Sequence, residues 1–122
     1  MTKVLVVEDD KFLRDLIARK LISEGFEVEE AADGKEGVLK AKAADADIIL
    51  LDLMLPGRDG FEVAEELRRE WQAAPIPILV LTNLDQKEHI ERVMELGAAG
   101  YLVKVNCTPA DIVKKIREVL SK

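Results

Sequence analysis

Six polar residues stand directly behind apolar runs in this chain: Glu8, Asp9 and Asp10 after VLVV, Asp52 after IILL, Thr82 after ILVL and Lys104 after YLV. A carboxylate beside an apolar run is costly to desolvate unless something pairs with it or neutralises it. Carboxylates gathered at one place also repel, and each raises the pKa of the next. A hard divalent cation resolves that conflict. Mg2+ takes oxygen ligands, usually one or two carboxylates, with carbonyl, water and phosphate oxygens completing its octahedron. On this reading Asp9 and Asp52 are direct ligands and Glu8 acts through water. Beside the metal, Asp52 can serve as a carboxylate nucleophile that takes a phosphoryl group. Lys104 would then offset the phosphate charge, and the Thr82 hydroxyl would donate to a phosphoryl oxygen.

These residues need a scaffold that brings them to one edge, and the pattern along the chain supplies it. Short β-rich apolar runs at Val4 to Val7, Phe26 to Val28, Ile48 to Leu51, Ile76 to Leu81 and Tyr101 to Val103 alternate with segments of helical spacing. The helical stripes are Leu13, Leu16, Ile17 and Leu21; Phe61, Ala64, Leu67 and Trp71; Ile90, Val93 and Met94; and Ile112, Val113, Ile116 and Leu120. A weaker one, with Val38, Leu39 and Ala41, lies in Lys35 to Ala44. Asp33 with Glu36 and Thr108 with Asp111 resemble capping boxes, the second with Pro109 at the first helical position. Asp59 can cap the third helix, and Gly25 and Gly97 stand where helices end. A strand-helix alternation repeated five times predicts an α/β fold with a parallel sheet covered on both faces. Ligands of such sheets sit beyond the carboxyl ends of the strands, where strand order reverses.

At 122 residues, 48% of them apolar, the chain is predicted to form one domain with a single core. The net charge of −6, with no basic stripe, argues against direct nucleic-acid binding and favours a protein or cation partner. Cys107 is the sole cysteine and cannot form an internal disulfide. The apolar run in MTKVLVVEDD is too short for a signal peptide or a membrane span, so a reducing, cytoplasmic setting is expected.

Four segments, VLVVEDD, IILLDLMLPGRDG, ILVLTN and GAAGYLVK, resemble in that order the receiver domain of two-component response regulators, over essentially the whole chain. The resemblance implies a flavodoxin-like (βα)5 doubly wound fold with strand order 2-1-3-4-5 and a single receiver domain over 1–122, without an output domain. It implies that Asp52 accepts phosphate from a sensor histidine kinase or a histidine phosphotransfer protein. Mg2+ would be held by Glu8, Asp9, Asp52 and the backbone carbonyl of Met54, with Thr82 and Lys104 on the phosphoryl oxygens. Thr82 and Tyr101 would act as the switch, reshaping the face of the fourth helix, fifth strand and fifth helix for a downstream protein. The expected state is a monomer, with a dimer linked to phosphorylation. The chain would carry a signal and not act as an enzyme with turnover.

Two residues depart from the family pattern. Val105 follows Lys104 where a proline, often after a cis bond, is usual, and a trans bond is expected here. Asn83 replaces the small residue common after the threonine, which could change access to the pocket. Met54 and Leu84, two beyond Asp52 and two beyond Thr82, are both apolar and would not orient a hydrolytic water. A phosphatase of the haloacid dehalogenase type needs a second acid at the position of Met54, and a flavodoxin needs a phosphate-cradling loop after the first strand; neither is present. An inert scaffold is disfavoured by the intact set Glu8, Asp9, Asp52, Thr82 and Lys104. Asp10 reads as a helix cap, His89 as a surface residue without a zinc-spaced partner, Cys107 as a loop residue and Trp71 as packing at the sheet margin.

Overall fold

The computed structural model describes residues 1–43, 45–70 and 76–121. Strands β1 (Lys3–Val7), β2 (Glu27–Ala31), β3 (Ile48–Leu51), β4 (Ile78–Thr82) and β5 (Gly100–Val103) alternate with helices α1 (Lys11–Ser23), α2 (Gly34–Ala43), α3 (Gly60–Glu70), α4 (Lys87–Glu95) and α5 (Pro109–Leu120). All strand pairs are parallel and the sheet order is β2-β1-β3-β4-β5, as the resemblance implied. The order reverses at β1 and β3, so the ends of these two neighbours flank the switch point of the sheet.

The lack of polar alternation in the apolar runs has a direct structural cause. Leu5, Val7, Ile49, Leu51, Ile78 and Val80 face a core closed by Val38 and Ala41 of α2, by Phe61, Ala64 and Leu67 of α3, and by Val93 of α4. Val4, Val6, Ile48, Leu50, Leu79 and Leu81 face the opposite core, closed by Ile17 and Leu21 of α1 and by Ile112, Val113 and Ile116 of α5. Both faces of the three central strands are therefore dry, and only apolar residues can occupy either parity. Among the described residues no helix is long and apolar enough to cross a membrane.

The caps fall where the sequence places them. Thr108 and Asp111 form a reciprocal capping box with Pro109 in the first turn of α5. Asp10 accepts from the Leu13 amide at the start of α1, Asp33 from the Glu36 amide and Asp59 from the Phe61 amide. Several boundaries differ from the periodicity. β2 runs Glu27–Ala31 instead of Phe26 to Val28, because its pairing with β1 continues from Lys3↔Glu27 to Val7↔Ala31 and draws the acidic residues into the strand. β4 starts at Ile78 instead of Ile76, where pairing with Ile49 of β3 begins. Leu16 and Leu39 are exposed, so the α1 and α2 stripes are narrower than their spacing suggested. Trp71 lies outside the described residues.

His89 corrects the sequence reading. It is half-buried, its ring lies 5.9 Å from that of Phe61, and its Nδ1 is buried without a hydrogen-bond partner among the described residues. The Arg92 guanidinium covers the same Phe61 ring at 4.1 Å, so one aromatic on α3 anchors α4 through two side chains.

Candidate functional site

The site is built by extending the sheet one residue past its strands. The Glu8 amide donates to the Ala31 carbonyl at 3.0 Å and the Asp52 amide to the Val7 carbonyl at 3.1 Å, so both backbones are fixed by ladder bonds beyond the last assigned pair. Glu8 keeps the parity of Val4 and Val6, and Asp52 that of Ile48 and Leu50, which turns both carboxylates toward the α1 side of the sheet. They are 2% and 3% exposed. Asp9, of opposite parity, is exposed.

One cation answers these buried acids. Lys104, first residue of a 3-10 turn at Lys104–Asn106, places Nζ 2.7 Å from Asp52 Oδ2 and 2.5 Å from Glu8 Oε1. The Asp52 contact is a directed hydrogen bond, and the Glu8 contact is a close ion pair. The remaining oxygens have backbone partners: Asp52 Oδ1 accepts from the Met54 amide at 3.0 Å and Glu8 Oε2 from the Asp10 amide at 3.0 Å. Burial alone would lower the Lys104 pKa, but its hydrogen bonds and attraction to Asp52 and Glu8 outweigh it and hold the ammonium above its ordinary value. Burial pushes the Glu8 carboxyl up, with repulsion from Asp52 adding to it, and Lys104 and the Asp10 amide only partly offset the rise.

The donor set fits a divalent cation. Carboxylate oxygens of Glu8, Asp9 and Asp52 all lie within 4.8 Å of one another. Three carboxylates against the Lys104 ammonium leave two negative charges in a site where two of the acids are buried. An upward-shifted Glu8 beside two further carboxylates is what a hard oxygen-seeking ion would relieve.

Thr82 closes β4, pairs with Val103 and is fully buried, and its hydroxyl has no hydrogen-bond partner among the described residues. It stands at the edge that carries Asp52 and Lys104 but is bonded to neither. Tyr101, half-buried on β5, donates its hydroxyl to the carbonyl of Leu84, two residues beyond Thr82. Burial, followed by the charges of Asp85 and Asp52, raises its pKa. Met54 forms a bridge with Asp59, and the residue is 56% exposed. The Lys104–Val105 bond is trans, as expected from the missing proline.

Arg14 was not legible as part of this edge. Its guanidinium donates to the Glu8 carbonyl at 2.7 Å and pairs with Glu30 at 3.3 Å, bracing the β1–α1 loop against β2. No local spacing links Arg14 to Glu30, whose place within β2 follows from the register with β1. Cys107 is half-buried with its thiol pKa raised by burial and by Asp111, unlike an activated thiolate.

Comparisons with known proteins bear on the family and the fold. The family model for the response regulator receiver domain matches residues 4–117. The DNA-binding dual master transcriptional regulator RpaA of Synechocystis is 38% identical over 119 residues, 98% of this chain and 48% of the relative. The sensory transduction protein RegX3 of Mycobacterium tuberculosis is 39% identical over 124 residues, covering 100% of this chain and 52% of its own length. The chain thus spans about half the length of these curated relatives. Among solved structures, the Vibrio cholerae chemotaxis protein CheY4 superposes with a TM-score of 0.90 at 37% identity, over 98% of both chains.

Proposed function

The chain belongs to the response regulator receiver domains of two-component systems, and from that premise we propose that Asp52 is its phosphoacceptor, with Lys104, Thr82, Glu8 and Asp9 serving the transfer. The observation that carries this reading is the Lys104 ammonium set between two buried carboxylates, Asp52 and Glu8. An ammonium in that place stabilises negative charge arriving at Asp52.

A carboxylate oxygen of Asp52 attacks the phosphorus of a phosphohistidine. A P–O bond forms, the P–N bond breaks, and the leaving imidazole nitrogen keeps the electron pair and is then free to take a proton from solvent. The Met54 amide fixes the orientation of the attacking carboxylate. Lys104 neutralises charge on the phosphoryl oxygens, and the unpartnered Thr82 hydroxyl is available to donate to one of them. Glu8, Asp9 and Asp52, with the Met54 backbone carbonyl that the family resemblance adds, would hold Mg2+, whose charge would neutralise the carboxylate cluster and the incoming phosphoryl group.

Movement of Thr82 toward the phosphoryl group would reach Tyr101 through the Leu84 carbonyl and so alter the face of α4, β5 and α5 for a downstream protein. The partners of this reading are a sensor histidine kinase or a phosphotransfer protein, then a protein target. Its activity is self-phosphorylation without turnover on free substrates.

Incubation with Mg2+ and acetyl phosphate, followed by intact mass measurement, tests the reading. The expected result is one phosphoryl group per chain, stable in acid and labile in base, and absent from Asp52→Asn. No gain in mass overturns it, as does steady phosphate release from many substrates. Decay should be slow, because neither Met54 nor Leu84 can hydrogen-bond and orient a hydrolytic water. Met54→Asn should speed it by about tenfold or more; decay at the parental rate removes this explanation.

A further inference from the structure

We infer that Asn83 is a positioning residue for this site, acting through the hydrogen bond that its side chain accepts from the backbone of Val105; the inference rests on Asp52 being the phosphoacceptor. Val105 N–H donates to Asn83 Oδ1 at 3.2 Å across 22 positions of sequence. Asn83 directly follows Thr82, and Val105 directly follows Lys104. The β4–β5 ladder ends at Thr82↔Val103, so a side chain adds one more tie just where the backbone pairing stops.

That tie bears on Lys104 in particular. Beyond Val103 the chain leaves the sheet in the 3-10 turn, closed by the Cys107 amide on the Lys104 carbonyl at 3.2 Å. That bond lies within the turn and does not fix the turn against β4. The Asn83 bond does, and it therefore limits where the flexible Lys104 stem begins its reach to Asp52 and Glu8. The Tyr101 hydroxyl holds the same β4–α4 loop one residue further on, at Leu84. The two residues are chemically complementary: a proline at 105 would have no N–H to give, and a small apolar residue at 83 no oxygen to receive it.

Both residues are exposed, so water competes for the bond and the effect is bounded. Asn83→Ala should slow phosphorylation of Asp52 by acetyl phosphate about three- to tenfold. Amide hydrogen exchange at Val105 should accelerate by a similar factor while the amides of β5 and the urea midpoint stay unchanged. Asn83→Asp keeps an accepting oxygen and should retain the Val105 protection, which a bulk structural effect at position 83 would not distinguish. Unchanged Val105 exchange in Asn83→Ala overturns the inference, and so does phosphorylation at the parental rate. If the unsubstituted chain takes no phosphoryl group, the phosphoacceptor reading fails and the positioning role fails with it, while Val105 exchange still reports the bond.

Discussion

Lys104→Met is expected to slow phosphorylation of Asp52 about a hundredfold, the usual scale for losing a preorganised group at a site of developing charge. The same substitution should destabilise the metal-free protein by about 3 kcal/mol, because it leaves buried charges without their partner. Asp52 and Glu8 would then face each other with no ammonium between them. Methionine keeps much of the apolar stem, so lost packing is a minor part of the effect. Mg2+ supplies the second arm. If the acidic cluster binds it, added Mg2+ should recover most of the lost stability, and its stabilising effect should be larger in Lys104→Met than in the parent. Urea unfolding with and without Mg2+, beside acetyl phosphate kinetics, measures both arms. A loss of rate below threefold, or equal Mg2+ stabilisation in the two proteins, would show that Lys104 is not the charge partner of Asp52 and Glu8.

Gly60→Ala is expected to be the most damaging conservative change near the site. A Cβ on Gly60 would stand 2.5 Å from the Leu53 carbonyl oxygen and closer still to the Leu53 Cα. These are backbone atoms, so no rotamer change relieves the clash. The Gly60 amide also donates to that Leu53 carbonyl at 3.0 Å, at the N-terminus of α3. Relief requires either α3 or the Asp52–Leu53 segment to move, at a cost of about 2 to 3 kcal/mol by analogy with overpacked cores. Since Leu53 follows Asp52, phosphorylation should fall by more than the loss of folded protein explains. Gly57→Ala is the contrasting change in the same loop. Gly57 has φ +77° and open space within 4 Å of where a methyl group would stand, so this change should cost about 1 kcal/mol through backbone strain and leave phosphorylation unchanged. Comparable losses in the two variants would mean that the Leu53 contact does not position Asp52.

The shift in Glu8 fits the same electrostatic account. Its pKa is raised chiefly by burial, and the Lys104 ammonium offsets only part of that rise. Within a sheet that is dry on both faces, an acid at this parity persists because Lys104 and two backbone amides meet the paired carboxylates.

The local signals of the chain determined most of the fold. IILL and VLVV could only be strands dry on both faces, because any alternation would have put a polar residue into one of the two cores. Asp10, Asp59, Thr108 and Asp111 cap the helices whose starts they mark, since a cap bonds within three residues of itself. Glu8, Asp52, Thr82 and Lys104 were recognisable because each follows an apolar run at the end of a strand. What lay beyond those local signals was the contact detail between segments. Parity buries Glu8 and exposes Asp9, although the two are adjacent and equally acidic. The register with β1 carries β2 through to Ala31 and so brings Glu30 to Arg14. The Phe61 ring draws His89 out of solvent, and Asn83 meets Val105 only because β4 and β5 end side by side. Backbone preference and hydrophobic period act over a few residues and are written locally, whereas the Lys104 bond to Asp52 spans 52 positions and exists only after the sheet has set its strand order.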